Sequence, residues 1–230
     1  MIVENMSIEE MQIEVEKDSD ILYAKIRHLY DANRRFFVKS TKFPAYKTFK
    51  WISRITSNEW NIVILARDKK EVTHPAIVPY VKYQSYGTGV VYMRPIDNRI
   101  LTIIYTPHLF SRYRERFLGD AGSHLATDEV IRHLFIYASI PTYDFTSAEN
   151  KVIIHINQGL ILGDYNNDRT RLLAKTFVSK EMLFDSQVSV DNEVAEMRDL
   201  IKKSAEYNAS PKAAFGIDEL TGEVGEVSLF

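Results

Sequence analysis

Apolar residues recur along the chain with two different periods, and the changes of period mark out its elements. Ile21, Leu22, Ile26, Leu29, Tyr30 and Phe37 return at helical spacing, with Asp18 or Ser19 placed to cap the helix they predict over Ile21 to Val38. Phe43-Pro44 ends that helix. Trp60 to Ala66 is a β-branched run that reads as a buried strand. Ile77 to Ser85, Val90 to Arg94 and Arg99 to Tyr105 alternate or run apolar between two turn signals, Tyr86-Gly87-Thr88-Gly89 and Pro95-Ile96-Asp97-Asn98. These runs predict a meander of about four antiparallel strands. Thr127 caps a second helix with Ile131, Leu134, Phe135 and Ala138 on its apolar face, and Pro141 stops it. Lys151 to Ile156 and Leu160 to Tyr165 flank Asn157-Gln158-Gly159 as a hairpin, and Arg171 to Ser179 reads as one more strand. Ser179 with Glu181 opens a capped turn, and Val190 to Tyr207 has an amphipathic helical pattern.

The pattern therefore predicts the α+β class, an antiparallel sheet with helices packed on it. One domain is expected over residues 21–207, after an acidic N-terminal segment, 1–20, that reads as a frayed or short helical start, and before a mobile C-terminal tail, 208–230. Trp60, Ile62, Ile64, Ile103, Phe135 and Ile153 are the expected core.

Composition removes several kinds of chemistry. There is no Cys, so thiolate metal sites, Cys nucleophiles and disulfides are excluded, which suits a cytoplasmic protein. The six His show no zincin spacing and no neighbouring acidic cluster, so neither a metal nor a cofactor is expected. No run of eighteen apolar residues suggests a membrane span, and residues 1–20 lack the basic and apolar regions of a signal peptide. Gly87-Thr88-Gly89 lies in a hairpin and is not a phosphate loop, and no nucleophile elbow is present. Nothing in the composition fixes an oligomeric state. The net charge of −2 conceals an asymmetry: Asp20 to Asp120 carries 18 Lys and Arg against 8 Asp and Glu, so +10, and the remainder is −12. A basic middle is compatible with a polyanionic partner, and equally with acidic ends packing on it.

Two stretches give that charge a local form. Lys42, Lys47, Lys50 and Arg54 interleave with Tyr46, Phe49 and Trp51, a pattern that can bind single-stranded nucleic acid through stacking and phosphate contact; an amphipathic strand with solvated lysines is the plainer alternative. The second stretch runs from Ile104 to Phe117. Thr106 is an N-cap residue and Pro107 suits a first helical position. At about 100° per residue, Leu109, Phe110, Tyr113 and Phe117 share one face, while His108, Arg112 and Arg116 form a row on the other. A titratable imidazole with two guanidinium groups suits a phosphate, provided the row lines a cleft; otherwise it is an ordinary solvated face. Metal-free RNA cleavage needs a base, an acid and cations on the phosphorane, and His108, His155, Arg112, Arg116, Tyr113, Thr176 and Ser179 are of the right types.

Thr106-Pro107-His108 with Arg112 and Arg116, Leu160-Ile161-Leu162-Gly163, and Lys175-Thr176-Phe177-Val178-Ser179 resemble motifs of the RelE/barnase/EndoU-like group of metal-independent ribonucleases. The resemblance spans about Ile100 to Phe184. It implies an RNA-binding protein, and an endoribonuclease of the toxin-like type with His108, Arg112 and Thr176 as catalytic residues and Arg116, Ser179 and Tyr113 on the substrate. The helix over Leu125 to Ser139 and the first hundred residues have no counterpart in that group. The competing expectation is a non-catalytic protein-interaction module of a phage or mobile element, using the Tyr- and Phe-rich surface.

Overall fold

The structure, a computed structural model, describes residues 1–96, 99–146 and 150–182. The helix read over Val190 to Tyr207 and the tail after 208 lie outside those residues. Four helices and nine strands are present among them. Helix α1 spans Ile8–Glu16 and α2 Ser19–Lys39. Strands β1 to β5 are Ala45–Ile52, Glu59–Ala66, Ala76–Gln84, Thr88–Ile96 and Arg99–Tyr105. Helix α3, Pro107–Tyr113, and α4, Thr127–Tyr137, follow. Strands β6 to β9 are Thr142–Thr146, Lys151–Ile156, Gly159–Tyr165 and Arg171–Ser179.

All nine strands form one mixed sheet in the order β1-β2-β3-β4-β5-β9-β8-β7-β6. Two antiparallel meanders, β1 to β5 and β6 to β9, are joined at the centre, where β5 pairs with β9 in parallel. The chain is thus α+β, and the expected all-antiparallel sheet is corrected at this one junction. The parallel pair needs the long crossover that α3, α4 and the second meander provide.

Each face of the β1–β5 half has its own core, because the strands carry apolar residues at both parities. Trp60, Ile62, Ile64, Val91 and Ile104 face α1 and α2, meeting Met11, Val15, Leu22, Ile26 and Phe37. Val63, Leu65, Val90, Ile103 and Tyr105 face α3 and α4, meeting Leu109, Phe110, Ile131 and Leu134. Val152, Ile154, Ile156 and Phe177 of the second meander join this second core. The sheet curls to bring them there: Arg94 of β4 donates to the Tyr143 hydroxyl of β6 at 3.0 Å, and Arg67 donates to the Ala138 carbonyl at 3.0 Å. Of the expected core, Trp60, Ile62, Ile64, Ile103 and Phe135 are buried, whereas Ile153 is half-buried, because Val152 and Ile154 occupy the inner face of β7.

The acidic N-terminal segment packs on the body. Ser7 and Glu10 close a reciprocal capping box at the start of α1, and Met11 and Val15 enter the core beneath α2. Asp18, fully buried at the start of α2, accepts from Ser53 Oγ and Thr56 Oγ1, both at 2.5 Å, Trp60 Nε1 at 2.8 Å and Asn58 Nδ2 at 3.3 Å. A buried carboxylate is tolerable only when its lone pairs are filled, and here four donors fill them. The cage fastens α2 to the β1–β2 turn. None of the described helices is long and apolar enough to cross a membrane.

Candidate functional site

Two surfaces carry the residues that the sequence singles out. The first is centred on α3. The Thr106 hydroxyl accepts the Leu109 N–H at 3.2 Å and donates to the Lys175 carbonyl at 2.9 Å, so one side chain both caps the helix and ties it to β9. Leu109, Phe110 and Tyr113 are buried as their spacing requires, while Phe117 is exposed and stacks on Tyr113 with ring centroids 5.2 Å apart. The α-helix stops at Tyr113 and Arg114–Leu118 continue as a single π-helical turn. The row survives in part: Arg112 Nε lies 3.4 Å from His108 Nε2, and Arg112 Nη1 pairs with Glu115 at 2.7 Å. Arg116 donates to the Phe177 carbonyl at 2.6 Å. His108 is exposed.

The other expected site residues do not gather around His108. Tyr113 is fully buried, edge to face with Phe177, and its hydroxyl lies 3.0 Å from His133 Nδ1. Ser179 is buried. Phe177 faces α3, so the adjacent Thr176 projects from the opposite face of β9. His108, Arg112 and Arg116 therefore lie along one side of β9 and the Thr176 side chain on the other.

His133 offers a check on this packing. Burial holds its imidazole below the ordinary value of 6.5, so the unfolded chain takes up the proton at higher pH than the folded one. The His133 contribution to stability is complete above that value and is lost as the pH falls through the folded value. Urea melts at pH 7.5 and pH 5 should show a larger loss for the wild type than for His133→Gln; equal losses would place His133 in water.

What does line a cleft with His108 is a different set. Ser7, Ile8 and Met11 of the α1 region, Tyr83, Tyr86 and Thr88 of the β3–β4 hairpin, and Ser111, Arg114 and Thr127 surround a volume of about 760 Å³. Sequence periodicity passes over Arg114, because at about 100° per residue it falls within about 40° of Phe110, at the edge of the apolar face. The signal was an arginine where that face expects an apolar residue.

The second surface lies where α2 ends and β1 begins. Arg35, Phe36, Lys39, Lys42 and Tyr46 line a shallow groove of about 720 Å³. Phe36 is 40% exposed and Tyr46 43%. Lys47 Nζ sits 4.9 Å from the Phe36 ring centroid and donates to Asn33 Oδ1 at 2.8 Å. Among the described residues Arg35, Lys39 and Lys42 have no carboxylate partner. From Ser19 to Arg54 there are nine Lys and Arg and two Asp, a net +7. Burial along β1 alternates, so Phe49 and Trp51 turn toward the α2 core while Tyr46 and Lys50 stay exposed. Among the described residues no group of three His, Asp or Glu could hold a metal ion.

The fold and these two surfaces define an α+β protein with a curled mixed sheet and a basic, aromatic flank. No protein-family model, no curated protein and no solved structure matches the chain. The ribonuclease resemblance thus stands on its three short motifs alone.

Proposed function

We propose that this protein binds single-stranded RNA along the groove between α2 and β1. The observation that carries the reading is the juxtaposition of Arg35, Lys39 and Lys42, without carboxylate partners among the described residues, with the exposed Phe36 and Tyr46 rings. Cations that carboxylates leave free are available to phosphates, and exposed rings beside them give bases a stacking surface. A duplex hides its base faces, so the groove should prefer single strands. The proposal is of binding only: the groups needed for cleavage are divided between two faces of β9 and the buried core. The same exposed rings would serve a protein-interaction module, but the accompanying net charge favours a polyanion over an apolar partner surface.

Fluorescence anisotropy with a labelled oligouridine tests the reading. Tyr46→Ala should weaken binding by about 1–3 kcal/mol, the usual worth of one stacked base, and leave the melting temperature near wild type. A wild-type protein that binds no oligouridine at low salt, or binds a duplex better, would refute it.

A further inference from the structure

We propose that the cleft between α1, the β3–β4 hairpin and α3 binds a small ligand that joins a phosphate group to an aromatic body, the class that includes nucleoside monophosphates. Three observations converge on it. The first is an incompletely satisfied cation. Arg114 Nε is buried and has no hydrogen-bond partner among the described residues, and its Nη2 reaches only Thr127 Oγ1, at 3.3 Å. A guanidinium has five N–H donors, and this one borders the cleft with no carboxylate partner among the described residues, so an anion there would pair its charge. Asp and Glu are absent from the described residues lining the cleft.

The second observation is the chemistry of the lining. His108, Ser111 and Thr127 add an imidazole and two hydroxyls to Arg114. That set suits the several oxygens of a phosphate. Ile8, Met11, Ile104, Phe110 and Leu173 make an apolar wall, and about 760 Å³ far exceeds what an inorganic phosphate fills.

The third is the hairpin tip. Tyr86 is held at φ 51°, a region an aromatic residue enters only at a cost, and its ring stands fully in solvent at the rim of the cleft. Gly87, at φ 140°, completes the turn against Pro107, where a Cβ would come within 3.0 Å of the Pro107 Cβ. Gly89 leaves the space across which the Tyr83 ring lies, since a Cβ there would come within 2.3 Å of it. The backbone thus places one ring in the wall and a second at the mouth, where it can stack on an aromatic body.

Isothermal titration of the full chain with AMP, phenyl phosphate, adenosine and inorganic phosphate tests the assignment. AMP or phenyl phosphate should bind at least tenfold more tightly than inorganic phosphate and adenosine. Arg114→Gln should weaken AMP binding at least tenfold, and Tyr86→Ala should weaken AMP binding while leaving that of inorganic phosphate unchanged. If Arg114→Gln does not fold, Tyr86→Ala, altered at a fully exposed tip, still decides the matter. Absence of binding by both aromatic phosphates, or AMP affinity unchanged in either folded variant, would overturn the proposal. The RNA groove is built from α2 and β1, so neither result bears on that reading.

Discussion

Asp18→Ala is expected to destabilise the protein by about 3–5 kcal/mol, the usual consequence of removing one partner from a buried charged network. The carboxylate is fully buried and accepts from Ser53, Thr56, Asn58 and Trp60. Its removal leaves those donors facing a void, and each buried unsatisfied donor costs about 1–3 kcal/mol before relaxation. Asp18→Asn keeps the shape, loses acceptor capacity and should cost less than alanine. The cage joins the start of α2 to the β1–β2 turn, at the opposite ends of both elements from the RNA groove, so the effect is on stability. Urea melts read it. A loss below about 1 kcal/mol would mean that water replaces the carboxylate at little cost.

The second large effect is electrostatic. Arg35, Lys39 and Lys42 line the groove and Lys47 lies beside it, against the Phe36 ring, so about four phosphates should be neutralised on binding. For single strands the slope of log K against log salt is about −0.7 per phosphate, which gives roughly −3 here and about a fifty-fold loss between 50 and 200 mM salt. The triple variant Arg35→Gln/Lys39→Gln/Lys42→Gln should reduce the slope to about −1 and, since all three residues are exposed, melt near the wild-type temperature. A salt-independent affinity, or a slope unchanged in the triple variant, would remove these cations from the interface.

Much of this molecule is legible in the sequence because local chemistry and global fold agree there. The β-branched run from Trp60, the turn at Gly87 and the Thr106-Pro107 helix start each form the element their residues favour. The elements that escape are those decided by distant partners. Strand β6 is a five-residue edge strand too short to show a period, and the β5–β9 parallel pair joins segments some seventy residues apart. Helix α1 is the short helical start that the segment suggests, and the Ser7–Glu10 capping box sets where it begins.

The site was harder to read for a specific reason. Strict alternation from the buried Leu172 and Ala174 would put Thr176 on the α3 face of β9, where the ribonuclease resemblance needs it. A bulge interrupts the register there: Leu162 pairs with Thr176 but the next residue, Gly163, pairs with Ala174, leaving Lys175 unpaired. That one extra residue turns Phe177 and Ser179 inward and Thr176 away. The π turn after Tyr113 likewise breaks the helical geometry that links Arg116 to His108. The bulge has one local signal, Gly163 inside β8, where a Cβ would come within 2.1 Å of the Leu173 carbonyl oxygen; the π turn has none within Arg114–Leu118. The basic groove was accessible only in part: of the interleaved Lys and aromatic residues, Lys42 and Tyr46 line it, Phe49 and Trp51 turn to the core, and Arg35, Phe36 and Lys39 reach it from the end of α2.

The claim that RNA lies on the α2–β1 flank is tested most directly by ultraviolet cross-linking of oligouridine to the full chain, followed by identification of the modified peptide. The account predicts that the base is attached within residues 35–46, at Phe36 or Tyr46. Cross-links confined to other segments, with these two rings unmodified at saturating oligouridine, would contradict it.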